Sequence, residues 1–225
     1  MPLRIHPIRR ITQLQLGLVL YGVSMALMIE ARLGLDPWDV FHQGIALRTG
    51  LRFGWVVIAV GALVLLLWIP LRQRPGVGTV SNVVVIGLAV DAALALLPTP
   101  AATGWRIGFL VSGILANGVA TGMYIGARLG PGPRDGLMTG LAARYGSIRL
   151  VRTAIEVTVL AIGWLLGGTV GIATVLYAVS IGPLAQVFIP LFSVSTTPGT
   201  GAGRQEGDPA PAASISPTGP VSSVP

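Results

Sequence analysis

The chain has no cysteine and no lysine, only two histidines, and just 10% charged residues among 225. Each shortage excludes something. Without cysteine there is no disulfide framework and no thiolate-ligated metal, and the redox compartment leaves no mark. With His6 and His42 as the only imidazoles, a histidine-built metal centre is not expected. A soluble domain carries about 25% charged residues. At 10%, with 52% hydrophobic residues and a mean hydropathy of +0.77, this chain cannot cover a water-facing surface, and lipid is its solvent. The fifteen basic residues are all arginine and leave a net charge of +7. No basic patch is interleaved with aromatics, so nucleic acid is not an expected partner. The excess reads instead as cytoplasmic loops facing anionic lipid. Gly-x-Ser-x-Gly, His-Glu-x-x-His and the phosphate-loop pattern are all missing. Catalytic residues and cofactors are therefore not expected, and a drive by ATP would need a separate subunit.

What the chain does have is a statement made twice. The segment from Ala31 to Gly50 returns 96 residues later as Ala127 to Gly146. Ten of the twenty positions are identical: Ala31/Ala127, Arg32/Arg128, Leu33/Leu129, Gly34/Gly130, Pro37/Pro133, Asp39/Asp135, Gly44/Gly140, Ala46/Ala142, Arg48/Arg144 and Gly50/Gly146. These are mainly Gly, Pro, Asp and Arg, which do not match by accident in an apolar protein. A duplicated module with a kinked polar stretch in each copy is the pattern of transporter-like membrane folds.

Six apolar runs are candidates to span: Leu14–Ile29, Phe53–Leu71, Thr79–Leu97, Ile107–Ile125, Leu150–Gly167 and Gly171–Leu191. In lipid every backbone amide must pair within its own segment, so these runs are helices. The repeat extends into them, with Thr79-Val80 matching Thr174-Val175 and Ile86-Gly87 matching Ile181-Gly182 at an offset of 95, and Gly22 matching Gly118 at 96. Each half reads as helix, short polar helix, helix, helix. Pro37 to Thr49 is too short to cross about 30 Å of hydrocarbon and is expected to be re-entrant or interfacial. The expected fold is all-α, with six transmembrane helices as two inverted three-helix repeats. Residues 13–98 form the first membrane repeat and 105–192 the second. Residues 1–12 are a cytoplasmic segment, and 193–225, rich in Ser, Thr, Pro and Gly, a disordered cytoplasmic tail. With the N-terminus inside a bacterial cytoplasmic membrane, eleven arginines fall on the cytoplasmic side and four outside, as the positive-inside rule favours. A cleaved signal peptide is the alternative for the first run, but it would destroy the symmetry.

The doubled motif carries the candidate chemistry. Asp36, Pro37 and Asp39 make a helix start: an N-cap, a proline in the first turn and an acid beside the free amides. Gly132, Pro133 and Asp135 hold the same places in the second copy. Two readings stand side by side: capping of short helices, or two helix ends facing one another near the midplane around substrate or a coupling ion. The copies differ, Trp38 becoming Arg134 and His42 becoming Met138. Asymmetric side chains on a symmetric scaffold suit one asymmetric ligand. His42 is a candidate for proton coupling, and Gln43 lies beside it. Trp38 also reads as an interfacial anchor and Arg134 as a topology determinant. Within the spans, Glu156 is placed to pair with Arg152 one turn earlier. Asp91 has no basic neighbour and its counterpart is Gln186, so this position is expected to face the interior and line a path. Asn82 and Asn117 are weaker cases of the same kind. The glycines at 113, 118, 122 and 126 form a packing face.

These stretches, Leu35-Asp36-Pro37-Trp38-Asp39 with Gly44 and Gly50, Pro70-Leu71-Arg72 with Gly76-Val77-Gly78-Thr79, and Gly130-Pro131-Gly132-Pro133-Arg134-Asp135-Gly136, resemble the bacterial YczE/YitT-type integral membrane proteins. The resemblance covers roughly residues 14–191, with Asp36 standing where glycine is expected. It implies a multi-pass membrane protein and supplies no substrate. The leading expectation is a secondary transporter for an unidentified small molecule or ion; the alternatives are a membrane-embedded regulatory or scaffold protein and an intramembrane enzyme. A transporter should hold a polar cavity lined by the motif carboxylates and Asp91, whereas a scaffold should have those carboxylates capped and buried. The bilayer itself is the one partner composition demands, and oligomeric assembly stays open.

Overall fold

The computed structural model describes residues 7–193. The first half of the expected N-terminal segment, with His6, and all of the expected tail but Ser193 lie outside the described residues. Within them the chain forms eight helices and no strand: α1 (Pro7–Ala31), α2 (Pro37–Thr49), α3 (Phe53–Leu67), α4 (Val77–Leu96), α5 (Thr103–Gly126), α6 (Pro133–Tyr145), α7 (Ile148–Leu165) and α8 (Ile172–Phe192). The order of long and short helices is the predicted one, and α2 has the predicted limits. The number of spans is smaller than expected on length and composition. Four helices, α1, α4, α5 and α8, are long and apolar enough to cross a bilayer alone. The bent pair α2 and α3, turned through 115°, raises this to five if counted as one broken span. Two expected spans fall short for physical reasons. α3 ends at Leu67 because Pro70 cannot continue a helix, and the chain leaves through a tight turn with Arg72 at a positive φ of 53°. Its 15 residues reach only about 22 Å. α7 carries Arg149, Arg152 and Glu156 in 18 residues.

The repeat in the sequence is also a repeat of contacts. α1 and α5 run antiparallel through the centre and meet at glycines. Gly17 packs on Ala120 and Tyr124, and Gly113 packs on Ser24 and Met28, each the counterpart of the other. A Cβ at Gly17 would stand 2.9 Å from the Met123 side chain, and one at Gly113 2.8 Å from that of Met28. Small residues are what allow backbones this close when lipid supplies no hydrophobic drive between helices. Arginines at matching positions close both ends of the pair. Arg10 Nε donates to the Ala127 carbonyl at 3.0 Å and Arg106 Nε to the Ala31 carbonyl at 2.8 Å. Each satisfies an orphan carbonyl at the end of the opposite helix. α4 packs on α1 through Gly22, and α8 packs on α5 through Gly118. The loops after α1 and α5 then dock on the opposite half. Gly78 N donates to Leu129 O, and Ala173 N to Leu33 O, both at 3.0 Å. Gly34, at φ 114°, must be glycine here, since a Cβ would lie 2.6 Å from Gly171 N.

Changing Arg106 to Gln should test one of these ties. The guanidinium also reaches Arg32 O at 2.7 Å, yet this end of the helix is partly exposed. A loss of roughly 1 kcal/mol is expected, read as a modest fall in the melting temperature of the solubilised protein.

The symmetry fails around α7. In the first half α3 packs on α4 through Gly54 and Gly87, where a Cβ at Gly54 would lie 2.0 Å from Gly87 O. In the second half Leu150 replaces Gly54, and Gly182, the counterpart of Gly87, has nothing within 4 Å. α7 packs instead on α2, Gly163 against the Val40–Phe41 backbone and Gly44 against Gly163.

Candidate functional site

The two short helices start in the same way and end up pointing charged side chains at each other. Asp36 caps α2, its Oδ1 accepting from Trp38 N at 2.9 Å and Asp39 N at 3.2 Å, with Pro37 fixing the first turn. Gly132 offers α6 no side-chain cap, and Pro133 sets its first turn. Left-handed Gly50 closes α2 and positive-φ Gly146 closes α6.

Arg134 reaches from α6 across to α2. Its guanidinium nitrogens lie 3.8 Å from Asp36 Oδ1 and 3.7 Å from Asp39 Oδ1, and its Cζ stands 5.0 Å from the centre of the Trp38 ring. His42 Nδ1 is 3.1 Å from the same Asp39 oxygen and sits edge-on to Phe53. Tyr124 OH donates to Asp135 Oδ2 at 2.9 Å, and Tyr21 meets the Tyr124 ring edge-on. Trp68, 1% exposed, donates from Nε1 to Pro133 O at 3.0 Å and so ties the end of α3 to the start of α6. A cavity of about 80 Å³ lies between these elements, with Trp38, His42, Asn82, Tyr124, Arg134 and Asp135 supplying its polar wall. The valines of α3 supply its apolar one. Two carboxyl groups, Asp36 and Asp39, face one arginine, while Asp135 is held by Tyr124. Asp36 is 3% exposed and Asp39 0%, yet the outer oxygen of each, and the Trp38 indole N–H, has no hydrogen-bond partner.

The structure therefore brings together Asp36, Trp38, Asp39, His42, Arg134 and Asp135. It does not bring the other candidates there. Gln43 turns outward, and its Oε1 accepts from Thr169 N at 2.6 Å in the link between α7 and α8. Asp91 accepts from Gly54 N at 2.6 Å; it caps α3, which has no cap of its own, and lines no part of the cavity. Gln186 is exposed on α8 rather than facing the interior, because the helix that would cover it, α7, stands away. Glu156 pairs with Arg152 at 2.9 Å, as the four-residue spacing predicts, but both are substantially exposed and neither lines the cavity.

Sequence reasoning missed Tyr21, Tyr124, Tyr177 and Trp68. A signal existed for three of them. Tyr21 and Asn82 occupy the positions that Asn117 and Tyr177 occupy in the second half, so an Asn–Tyr pair recurs with its members exchanged. Tyr177 OH donates to Asn117 Oδ1 at 2.9 Å, and Asn117 Nδ2 donates to Ser24 Oγ at 2.9 Å. Trp68 recurs as Trp164. Tyr124 has no polar counterpart, since Met28 stands at its place.

Apolar helices of spanning length packed around a buried, charged junction define a polytopic helical membrane protein. The chain belongs to a family of unknown function, DUF6198, whose pattern matches residues 8–190. It is 40% identical over 186 residues to an uncharacterized protein of Haemophilus influenzae, covering 82% of this chain and 85% of that one. It is 33% identical over 177 residues to the uncharacterized membrane protein YczE of Bacillus subtilis, covering 77% and 82%. A second Bacillus subtilis protein, the uncharacterized YyaS, is 24% identical over 183 residues, covering 78% and 90%. No solved structure matches the chain.

Proposed function

We propose that this membrane protein is a secondary carrier that moves a small molecule or ion by alternating access, without catalysis or cofactor. The observation that carries the reading is the meeting of the two short helices: Arg134 of one faces Asp36 and Asp39 of the other beside a cavity with one polar and one apolar wall. Broken helix ends placed at the junction of two repeats are where carriers hold their substrates. The antiparallel α1 and α5, with reciprocal arginine and glycine contacts, support two inverted halves of three spans each. In this reading α2 and α6 are re-entrant, α3 and α7 cross with help from their flanking turns, and the N-terminus lies on the cytoplasmic side of a bacterial plasma membrane. The Asp39–His42 contact is the place for proton coupling.

A second reading has one specific observation in its favour. Asp36 caps a helix and Asp39 is fully buried, as a non-transporting scaffold for a membrane-bound partner would have them. Accessibility separates the two. The chain is naturally free of cysteine, so single cysteines can be placed without other changes. Val60→Cys and Val64→Cys, both in the cavity wall, are expected to react with a small membrane-impermeant thiol reagent added from either face of oriented vesicles. Protection from both faces, or reaction from one face alone under all conditions, removes the carrier reading and leaves the scaffold.

A further inference from the structure

We infer that the cavity takes a small organic cation, which displaces Arg134 from the start of α2. This deepens the carrier reading and rests on it. Charge comes first. Asp36 and Asp39 bring two buried carboxyl groups to the junction, and Arg134 is the one guanidinium that faces them. Carboxylates in a low-dielectric interior cost several kcal/mol each unless they are paired or protonated, so a cation that pairs them more closely than Arg134 is favoured there.

Geometry points the same way. Direct charge-assisted N–H···O⁻ bonds run at about 2.7–2.9 Å. Arg134 stops at 3.7 and 3.8 Å from its two carboxylates, and the outer oxygens of Asp36 and Asp39 have no partner at all. The start of α2 is thus a cation seat that its present occupant fills loosely. The seat also has an aromatic floor. The Trp38 ring already carries a guanidinium at 5.0 Å, within the range where a cation is held by a ring face. Tyr21 and Tyr124 stand along the adjoining cavity. Arg134 itself is a quarter exposed, so it has space to move aside. Among the described residues no three His, Asp or Glu side chains are arranged to hold a metal ion. The occupant that fits is an ammonium or guanidinium group on a small organic body, and Arg134 is its tethered stand-in.

The test is calorimetric titration of the full chain in lipid nanodiscs with methylguanidinium, ethylammonium, acetate and acetamide. Saturable binding of the two cations, and none of acetate or acetamide, is the expected result. Asp39→Asn should weaken methylguanidinium binding at least tenfold. Trp38→Leu should weaken it roughly threefold to thirtyfold, the span of one cation–π contact. Arg134→Gln should tighten it, because the internal competitor is gone. Acetate binding that disappears in Arg134→Gln overturns the inference in favour of an anion site. A titration in which no probe binds and only protons are taken up overturns it too. If Arg134→Gln does not fold, the comparison of methylguanidinium with acetate on the unaltered chain still decides. Cation binding together with one-sided cysteine labelling leaves this inference standing and removes the carrier. Two-sided labelling without cation binding does the reverse.

Discussion

Alanine at Gly163 should destabilise the protein by about 2–3 kcal/mol, while alanine at Gly182 should leave its stability unchanged. Both glycines lie in the second half of the chain, on apolar helices, and composition does not distinguish them. Their surroundings do. A Cβ at Gly163 would lie 2.5 Å from Phe41 N and 2.6 Å from Phe41 Cα. These are backbone atoms of α2, fixed by its own hydrogen bonds, so relief requires the two helices to separate. Gly182 has no atom within 4 Å of the same added carbon. Gly87, its repeat counterpart, should behave like Gly163, because its Cβ would lie 2.6 Å from Gly54 O and 2.5 Å from the Ile58 side chain. Thermal unfolding of the three variants in one detergent measures this. Equal melting temperatures for Gly163→Ala and Gly182→Ala would falsify the asymmetric packing of α7.

Trp68→Ala should be more damaging, at about 3 kcal/mol or more, and should also change the site. Trp68 is nearly wholly buried, and its indole fills the space over Gly136, where a Cβ would fall 2.0 Å from the ring. Removing it forfeits the dispersion contacts of a large side chain and the hydrogen bond to Pro133 O. Pro133 is the first residue of α6, so the loss loosens the helix that presents Arg134 and Asp135. Trp164, the repeat counterpart, is 65% exposed, and its replacement by Ala should cost little. Melting temperatures of the two alanine variants check the first point. Reactivity of Val64→Cys in the Trp68→Ala background, expected to rise, checks the second.

The short helices were legible in the sequence because their signals are local. Asp36, Pro37 and Gly50 bound α2, and Gly132, Pro133 and Gly146 bound α6, each by chemistry that acts within a few residues. Offset matches then supplied the order of elements. What the sequence could not supply is which neighbour covers which face. Asp91 and Gln186 sit at matching positions and look alike in a hydropathy pattern. One is half-buried beneath α3 and the other exposed, because α3 meets α4 closely at Gly54 while α7, with Leu150 at the matching position, does not approach α8. The same limit explains the span count. Apolar composition persists past Leu67, but Pro70 stops the helix, and hydropathy does not register a stopped helix. At the site, the candidates on α2 and α6 converge because both helix starts were readable. Tyr21 of α1 was legible only through its exchange with Asn117 in the repeat, and Tyr124 of α5 not at all, since an isolated Tyr in an apolar run looks like any aromatic in a core.

The docking of each half's loop on the other half has a consequence for the order in which the molecule is made. A ribosome releases α1 to α4 before Leu129 exists, so the start of α4 waits for an acceptor some fifty residues downstream. α8 emerges last of the described helices, and both its ends are fastened to residues made long before. Ala173 binds Leu33, and Gln13 in α1 donates from Nε2 to Phe192 O at 2.8 Å. The last of the described helices is therefore clasped at one end to α1 and at the other to the loop that follows α1, and a chain that stops short of α8 leaves both clasps open.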